Sequence, residues 1–336
     1  SDTGSDAAVA TAPLQFVGRT DTRSPAGVRF AWPGTRILAR FSGTGAKIRL
    51  HDTGKNRFDV SIDGAPPTVL STASDNDNYT LASGLTDGPH DLVLVKRTEA
   101  FNGVVQLFEI TSNEGRALIP IPAPTGRRIE FIGEDNLCGY GVLGIDSSCV
   151  YSVDTESEPD TYGALTALAL NATHTTIAYT GVGLTRDYGG NTANTLPSRF
   201  ARSLPDDATS TWAFTWIPDV VVVELGRTDF VMGDPGAAFR TAYVNFLATL
   251  RTHYPSAKIV ATLSASFTAG PRLTAQSYIM GAVTDRNSAG DANVSYFELD
   301  EQLPADGYGC DFHPNTTTQG KGATKLTAAL KTLLGW

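Results

Sequence analysis

An acidic and a basic side chain lie two residues apart in a polar loop near the end of the chain. The segment "GCDFHP" contains Asp311 and His313. In an extended segment such residues point the same way, so Asp311 can orient the imidazole of His313 as a carboxylate supports a general base. We therefore expect His313 to be a catalytic base. The alternative is a surface loop that caps the final helix.

A second candidate is the segment "RRIEFIGEDNLCGYG", residues 127–141. It predicts a buried strand that enters a glycine-containing turn, the layout on which many hydrolases mount a nucleophile. This turn carries Glu134 and Asp135 and no serine. Asp135 can attack carbon as a carboxylate nucleophile, or form the paired carboxylates of a glycosidase with Glu134, Glu224 or Asp229. The structural alternative is that Asp135 caps the following helix.

The cysteines give a disulfide hypothesis and no metal site. They are Cys138, Cys149 and Cys310, and neither a CxxC motif nor a Cys/His spacing suggests zinc. We expect no metal and no cofactor. Cys138 and Cys149 flank a short loop that a disulfide can close in an exported protein, although spacing does not establish connectivity. The alternative is three buried thiols that act as small hydrophobic side chains.

Composition excludes some classes of partner. The chain has 336 residues, of which 26 are Lys or Arg and 35 are Asp or Glu, so its formal net charge is −9. This balance disfavours nucleic acid and anionic membranes as partners. No apolar run approaches the roughly 20 residues of a membrane span, and the start lacks the pattern of a signal peptide. We expect a soluble chain without membrane insertion, with residues 1–12 as a flexible tail.

The elements that position these residues divide the chain into two parts. Residues 13–115 alternate short β-rich runs with Gly-, Pro- and Asp-containing turns, which predicts an antiparallel β-sandwich. Residues 116–126 are rich in Gly and Pro and form the predicted linker. In residues 127–336, nearly continuously apolar strands alternate with helices, which predicts a parallel sheet between helix layers. In such sheets the site lies beyond the carboxyl ends of the strands.

Five segments, taken together, resemble a known family. They are "RRIEFIG…CGYG", "TYGALTALAL", "TGVGLTRDYGG", "PDVVVVELG…DF" and "GCDFHP". The chain resembles the carbohydrate esterase family 2 branch of the SGNH (GDSL-type) hydrolases, whose members also carry an N-terminal jelly-roll domain. The resemblance implies removal of acetyl groups from plant polysaccharides by a serine nucleophile, a histidine base and an oxyanion hole. It assigns the base to His313, its helper to Asp311 and the glycine block to Gly181–Gly183.

Two positions depart from the family pattern. The family has G-D-S where this chain has Gly133, Glu134 and Asp135, so a carboxylate stands at the nucleophile position. The family has G-x-N-D where Thr228 now replaces the oxyanion asparagine. A carboxylate has no proton to give up, and it repels the oxyanion that serine attack creates. We therefore expect no ordinary serine-esterase catalysis, and an Asp135 carboxylate that contacts His313 and favours its charged form.

The function then has several open interpretations. The first is a pseudoenzyme whose cleft binds a polysaccharide or oligosaccharide, or remains only as a scaffold. The second is a hydrolase in which Asp135 attacks carbon and His313 activates water, with Asp311 as its helper. The third is the glycosidase with paired carboxylates. A role in assembly through the strand edges of the sandwich is also open. We expect the protein to be secreted or displayed on the cell surface.

Further residues beside the motif turns are candidates for contact with a substrate. Arg227 follows a strand and can contact an anionic group or neutralise the acidic cluster, although such arginines are more often structural. Glu224 ends the same strand. Tyr188 and Phe312 can stack on sugar rings, and aromatic residues near a cleft are equally often part of the core.

Overall fold

The structure of the protein is a computed structural model, which describes residues 11–336. The predicted tail, residues 1–12, therefore lies outside the described residues except for its last two. These two form strand β1, Thr11–Ala12, which pairs antiparallel with β11, Ile121–Pro122. The predicted linker, residues 116–126, thus contains a short strand that contacts the beginning of the described chain. The predicted domain boundaries remain a prediction.

The N-terminal part is built from two antiparallel sheets, which confirms the predicted sandwich. One has strand order β3-β10-β5-β8 and the other β2-β4-β9-β6-β7. Their strands are β2 Leu14–Val17, β3 Val28–Phe30, β4 Arg36–Gly43, β5 Ala46–Asp52, β6 Arg57–Ile62, β7 Thr68–Ser71, β8 Asn78–Ala82, β9 Gly88–Lys96 and β10 Val105–Ser112. The core forms because apolar residues alternate along each strand, as Ile37, Ala39 and Phe41 do in β4.

The C-terminal part is a parallel sheet covered by helices on both faces, as predicted. Its strand order is β13-β12-β14-β15-β16, with β12 Arg128–Gly133, β13 Thr173–Ala178, β14 Val220–Glu224, β15 Lys258–Leu263 and β16 Val294–Glu298. The helices are α1 Asp135–Cys138, α2 Tyr162–Ala169, α3 Leu196–Arg199, α4 Ala237–His253, α5 Ala269–Ser288 and α6 Thr316–Leu334. Within residues 11–336, no helix has both the length and the apolar character of a membrane-spanning segment.

The apolar run of β14 explains why this sheet is buried on both sides. Val221 and Val223 pack in the core that includes α4 and α5, whereas Val220 and Val222 pack with α2 and α6. Successive side chains of a strand point to opposite faces, so an uninterrupted apolar strand needs a helix layer on each face. The residues that follow these strands are therefore held by a rigid, well-packed frame.

The strand order indicates that a site lies beyond the carboxyl ends of three neighbouring strands. β12 has β13 on one side and β14 on the other, all parallel. The chain therefore leaves the carboxyl ends of these three strands side by side, at the point where the strand order reverses. The segment that precedes α6 reaches the same edge, because the side chain of His313 contacts the turn after β12.

Candidate functional site

Asp135 and His313 lie in contact at the carboxyl edge of the sheet. Oδ2 of Asp135 is 3.3 Å from Nε2 of His313, and Oδ1 accepts a hydrogen bond of 2.8 Å from the backbone N–H of Gly181. Asp135 is not the helix cap that the structural alternative required. Glu134 occupies the cap position of α1, and neither side chain binds the amides of the first turn. The carboxylate of Asp135 instead points toward His313 and toward the loop that follows β13.

The predicted role of Asp311 as the helper of His313 is wrong. Nδ1 of His313 lies 3.1 Å from the carbonyl oxygen of Cys310. Asp311 has φ 52° within the turn Cys310–Phe312, so the segment is not extended, and among residues 11–336 no hydrogen bond joins the side chains of Asp311 and His313. The Asp311 carboxylate accepts hydrogen bonds from the backbone N–H of Tyr151, at 3.0 Å, and the hydroxyl of Tyr140, at 3.2 Å.

The hydrogen bonds around His313 favour a charged ring. Nδ1 faces a carbonyl oxygen and Nε2 faces a carboxylate, so both nitrogens act as donors only when the imidazole carries two protons. Burial alone would lower the pKa of His313, but the hydrogen bond and charge of Asp135 raise it above its ordinary value. Burial would likewise raise the pKa of Asp135, yet contact with His313 and the Gly181 amide lowers it. The result is an ion pair.

Glu134 is directed away from the cleft and ties two strand ends together. Its Oε1 accepts a hydrogen bond of 2.6 Å from the backbone N–H of Gly226, and its Oε2 accepts one of 2.7 Å from that of Thr228. Burial, followed by the charges of Asp229 and Asp135, raises its pKa well above the ordinary value. Glu134 therefore fixes the turn after β14 against the turn after β12, and it does not line the cleft that contains Asp135 and His313.

The predicted contact of Glu224 with substrate is also wrong. Its carboxylate is buried behind the site and accepts hydrogen bonds of 2.7 Å from the Asn136 amide and from the Tyr162 hydroxyl. Asp229 is similarly engaged by the backbone N–H groups of Leu184 and Thr185. With Glu134 committed as well, the paired carboxylates of a glycosidase do not form around Asp135.

The three predicted oxyanion positions have different roles. Gly181 aims its N–H at Asp135. Gly183 does not serve the site, because its N–H donates to the carbonyl of Arg186 and it does not line the cleft. Thr228 lines the cleft, but its N–H is taken by Glu134. Of these three positions, Gly181 is the one that directs its backbone N–H into the site. The carboxylate of Asp135 already accepts that hydrogen bond.

The site opens into a cleft of about 820 Å³. Its mouth carries aromatic side chains, including the predicted Tyr188 and Phe312, whose exposed fractions are 67% and 63%. Sequence reasoning missed part of the lining. Thr180 lies within a recognised motif but was not singled out, and the others lie outside the five segments: Val231, Ser266, Thr268, Gln302 and Tyr308. The cleft thus combines exposed rings with hydroxyl and amide groups.

Arg186 and Arg227, which follow β13 and β14 of the sheet, have different surroundings. Arg186 is structural, because its guanidinium donates to the backbone carbonyls of Asp229 and Gly233. Arg227 lines the cleft, and its Nε donates to the carbonyl of Ser266 over 3.2 Å. Its predicted contact with substrate stays a prediction.

The predicted disulfide between Cys138 and Cys149 is wrong. Cys149 is bonded to Cys310, 161 residues away, and Cys138 is a buried thiol. Cys138 belongs to α1 and points into the core, where its Sγ lies 3.4 Å from the carboxylate of Glu99. The observed bridge joins the loop before Tyr151 to the segment that carries His313.

The sandwich contributes to the site through Glu99. Its carboxylate accepts a hydrogen bond of 2.7 Å from the backbone N–H of Thr180 and another from the Thr180 hydroxyl. The backbone N–H of Glu99 donates to Glu156 of the α/β part over 2.8 Å. Burial and the charge of Glu156 raise the pKa of Glu99 well above its ordinary value. The N-terminal part therefore holds the loop that presents the Gly181 amide.

Comparisons with known proteins agree with this architecture. The family model "Carbohydrate esterase 2 N-terminal" matches residues 16–122, and "GDSL-like Lipase/Acylhydrolase family" matches residues 132–320. The chain is 36% identical over 325 residues to the cellulase/esterase CelE of Acetivibrio thermocellus, covering 96% of this chain and 40% of that protein's length. It is 28% identical to an acetylxylan esterase / glucomannan deacetylase of Cellvibrio japonicus, covering 96% of this chain and 89% of that protein.

Solved structures show the same likeness over both parts of the chain. A family two carbohydrate esterase from Clostridium thermocellum, in complex with cellohexaose, is 35% identical with a TM-score of 0.92. The match covers 96% of this chain and 99% of that one.

Proposed function

Because the chain belongs to carbohydrate esterase family 2, we propose that it keeps the fold and cleft of this family, lacks the serine-esterase reaction and binds a polysaccharide or oligosaccharide. One observation supports the absence of the serine-esterase reaction. The Asp135 carboxylate occupies the place where the family resemblance expects a serine, with one oxygen on the Gly181 amide and the other against His313.

This arrangement is incompatible with serine-type acyl transfer. A serine gives its proton to the base as it attacks, whereas an ionised carboxylate has none to give. The Gly181 N–H, which would stabilise a developing oxyanion, already binds the negative charge of Asp135. Loss of one oxyanion donor alone typically lowers the rate by ~10²–10³. The base, the donor and the nucleophile position are therefore all altered for that reaction.

The proposed binding of a polysaccharide or oligosaccharide rests on the cleft. Its volume of about 820 Å³ falls in the range of ligand-binding sites, and exposed aromatic rings with nearby hydroxyl groups suit the apolar faces and hydroxyls of sugars. The relative from Clostridium thermocellum was solved with cellohexaose, which supports a β-linked glucan as the first ligand to test.

Titration calorimetry with cellohexaose tests this binding. We expect saturable binding by the wild-type protein, weakened roughly 2- to 10-fold in Tyr188→Ala and again in Phe312→Ala, because each variant removes one stacking ring. Leu168→Ala is the matched control, since Leu168 is 78% exposed on α2 and does not line the cleft. Absence of binding to cellohexaose and to xylo-oligosaccharides alike would refute the proposed glycan-binding role.

A second candidate function is favoured by the fact that both Asp135 and His313 line the cleft. An Asp135 oxygen would form an ester bond to a substrate carbon while the leaving group departs with the proton of charged His313. Neutral His313 would then deprotonate water, whose oxygen attacks the ester carbonyl. The acyl carbon–oxygen bond breaks, and the substrate leaves as an alcohol with the proton of the new carboxyl group, which regenerates the carboxylate. Turnover in ¹⁸O-labelled water would place the label in the Asp135 carboxylate, and Asp135→Asn would abolish turnover. Unlabelled Asp135 after turnover would rule this mechanism out.

We also propose that the protein functions outside the cytoplasm, at the cell surface or in secreted form. The bridge between Cys149 and Cys310 supports this placement, since disulfides persist in oxidising environments. Fractionation of cells that produce the protein should recover it outside the cytoplasm.

Size-exclusion chromatography distinguishes a monomeric glycan binder from a protein with a role in assembly. A protein with the assembly role would elute as an oligomer without ligand.

A further inference from the structure

Arg227 lies at the junction of the main cleft and a smaller side cavity. The side cavity has a volume of about 210 Å³ and shares four lining residues with the cleft: Arg227, Val231, Ser266 and Thr268. Phe230, Phe267 and Pro271 complete its lining. In the part of the chain that the structure describes, Arg227 is thus the charged residue of an otherwise neutral side cavity.

The guanidinium of Arg227 is anchored at one nitrogen. Arg227 precedes the turn Thr228–Phe230 after β14, and its Nε donates to the carbonyl of Ser266 in the turn after β15. Over residues 11–336, neither Nη atom has a hydrogen-bond partner in the protein. A bond at Nε fixes the plane of the group and leaves the pair of Nη atoms for an acceptor in the cavity.

The neighbouring carboxylates do not take up this cation. Glu134, Asp135 and Glu224 line a small cavity beneath Arg227, but none forms an ion pair with it among the described residues. Glu134 binds two backbone N–H groups, Glu224 binds two side chains and Asp135 is paired with His313. Asp135 takes its direct hydrogen bonds from His313 and Gly181, and the charge of Arg227 acts on it without a hydrogen bond or ion pair. The Nη atoms of Arg227 therefore keep their hydrogen-bonding capacity for an anion.

We infer that Arg227 selects a glycan carrying a uronic acid carboxylate, which the two Nη atoms bind in the side cavity. The inference rests on the proposed glycan-binding function and names its substrate class. A planar guanidinium matches a carboxylate through two parallel N–H···O bonds, and the bond is charge-assisted. The aromatic mouth of the cleft would hold the neutral sugars, and Arg227 would select for the acidic group.

Matched neutral and acidic oligosaccharides test this inference. The probes are cellohexaose with and without one C6 carboxylate, and xylohexaose with and without one glucuronic acid side group. Wild-type protein should bind the acidic member of a pair roughly 10-fold or more tightly in titration calorimetry, as one charge-assisted contact suggests. Higher salt should reduce this preference, because the contact is partly exposed to solvent.

Variants of Arg227 separate recognition from general loss of binding. Arg227→Gln should remove the preference and retain affinity for the neutral probes, whereas Arg227→Lys keeps the charge and should retain part of the preference. Arg116→Gln is the matched control, because it removes one positive charge from the segment after β10, where Arg116 pairs with Asp87 outside the cleft. Circular dichroism checks that each variant is folded.

The outcomes distinguish this inference from the function on which it rests. If no probe binds, the proposed glycan-binding function fails and the inference fails with it. If neutral and acidic probes bind wild-type protein equally, or if Arg227→Gln keeps the preference, glycan binding stands and the role of Arg227 is overturned. A preference that is present in wild-type protein and lost in Arg227→Gln supports both.

Discussion

Asp135 and His313 illustrate which residue-level features the sequence can predict. Their contact follows from the strand-turn order of the first motif and from the position of the last loop, and the structure confirms it. The predicted role of Asp311 was wrong because it assumes an extended segment, whereas Asp311 has a φ of 52° and its carboxylate binds Tyr151 and Tyr140. Sequence spacing gives the direction of a side chain only where the backbone conformation is known.

Restoring the nucleophile tests whether the esterase reaction was lost at this position. Asp135→Ser supplies a hydroxyl next to His313 and releases the Gly181 amide, but the asparagine that the family resemblance expects is absent. We expect feeble hydrolysis of aryl acetates by this variant. Adding Thr228→Asn should raise the rate by up to ~10²–10³, the typical effect of one oxyanion donor. Steady-state kinetics of both variants measure the gain.

The control for this repair is Asp135→Ala, which releases the Gly181 amide without supplying a nucleophile. It should remain inactive. Activity in Asp135→Ala equal to that of the double variant would show that the serine is not the nucleophile. Binding of cellohexaose by each variant shows whether the cleft is intact.

The ion pair also predicts a pH dependence of stability. The raised pKa of His313 means that its contribution is fully present below the ordinary value of 6.5 and is lost as pH rises through the raised value. The lowered pKa of Asp135 means that its contribution is present above 3.8 and is lost as pH falls through the lowered value. The pair therefore stabilises the fold most between these two ordinary values.

Thermal unfolding of wild type and His313→Gln across pH 4–9 measures this effect. The difference in melting temperature should be largest near pH 4–6 and should shrink as the pH rises above about 7. A difference that grows steadily toward pH 9 would mean that His313 is neutral in the folded protein.

At the scale of elements, the sequence predicts the parallel sheet but not the disulfide that joins two loops. The apolar run of β14 and the turns after β12 and β14 are local signals, and they identify the edge of the sheet on which the site lies. The bridge between Cys149 and Cys310 depends on where two distant loops meet in space. Sequence spacing favoured the nearer pair and missed this tertiary contact.

The bridge predicts a specific pattern of thiol reactivity and a dependence of stability on redox state. Unfolding without reductant should allow alkylation of Cys138 alone, which peptide mass spectrometry detects. Replacing both Cys149 and Cys310 with serine should lower the free energy of unfolding by about 2–5 kcal/mol, the usual effect of removing a native disulfide. Cys138→Ala keeps the bridge, so reductant should still destabilise that variant. Recovery of a peptide linking Cys138 to Cys149 would contradict this assignment.

At the scale of the whole molecule, the sandwich and the α/β part form one structural unit around the site. Glu99 of the sandwich binds the loop at Thr180. Arg19 of the sandwich is buried against Glu130 of β12. The sequence predicted both architectures, but these contacts join residues far apart in the chain and carry no local signal. We therefore expect the two parts to depend on each other for stability.

Replacement of Glu99 tests this dependence. Glu99→Ala should lower the free energy of unfolding by about 1–3 kcal/mol, since the partly buried Thr180 N–H and hydroxyl lose their acceptor. It should also weaken cellohexaose binding, because Thr180 lines the cleft. Glu109→Ala, at an exposed ion pair on the sandwich, is the control and should change neither quantity. Calorimetry of the wild type should show one unfolding transition, and two separate transitions would argue against a single unit.

The central claim is that this chain has the fold and cleft of an esterase family but lacks the serine-esterase reaction, because Asp135 stands at the position of the serine. The most direct measurement is the rate at which wild-type protein releases acetate from aryl acetates and acetylated xylan, compared with Asp135→Ala. We predict no release above the uncatalysed background for either protein. Release at ordinary enzymatic rates by the wild type, abolished in Asp135→Ala, would contradict the claim and assign Asp135 a catalytic role.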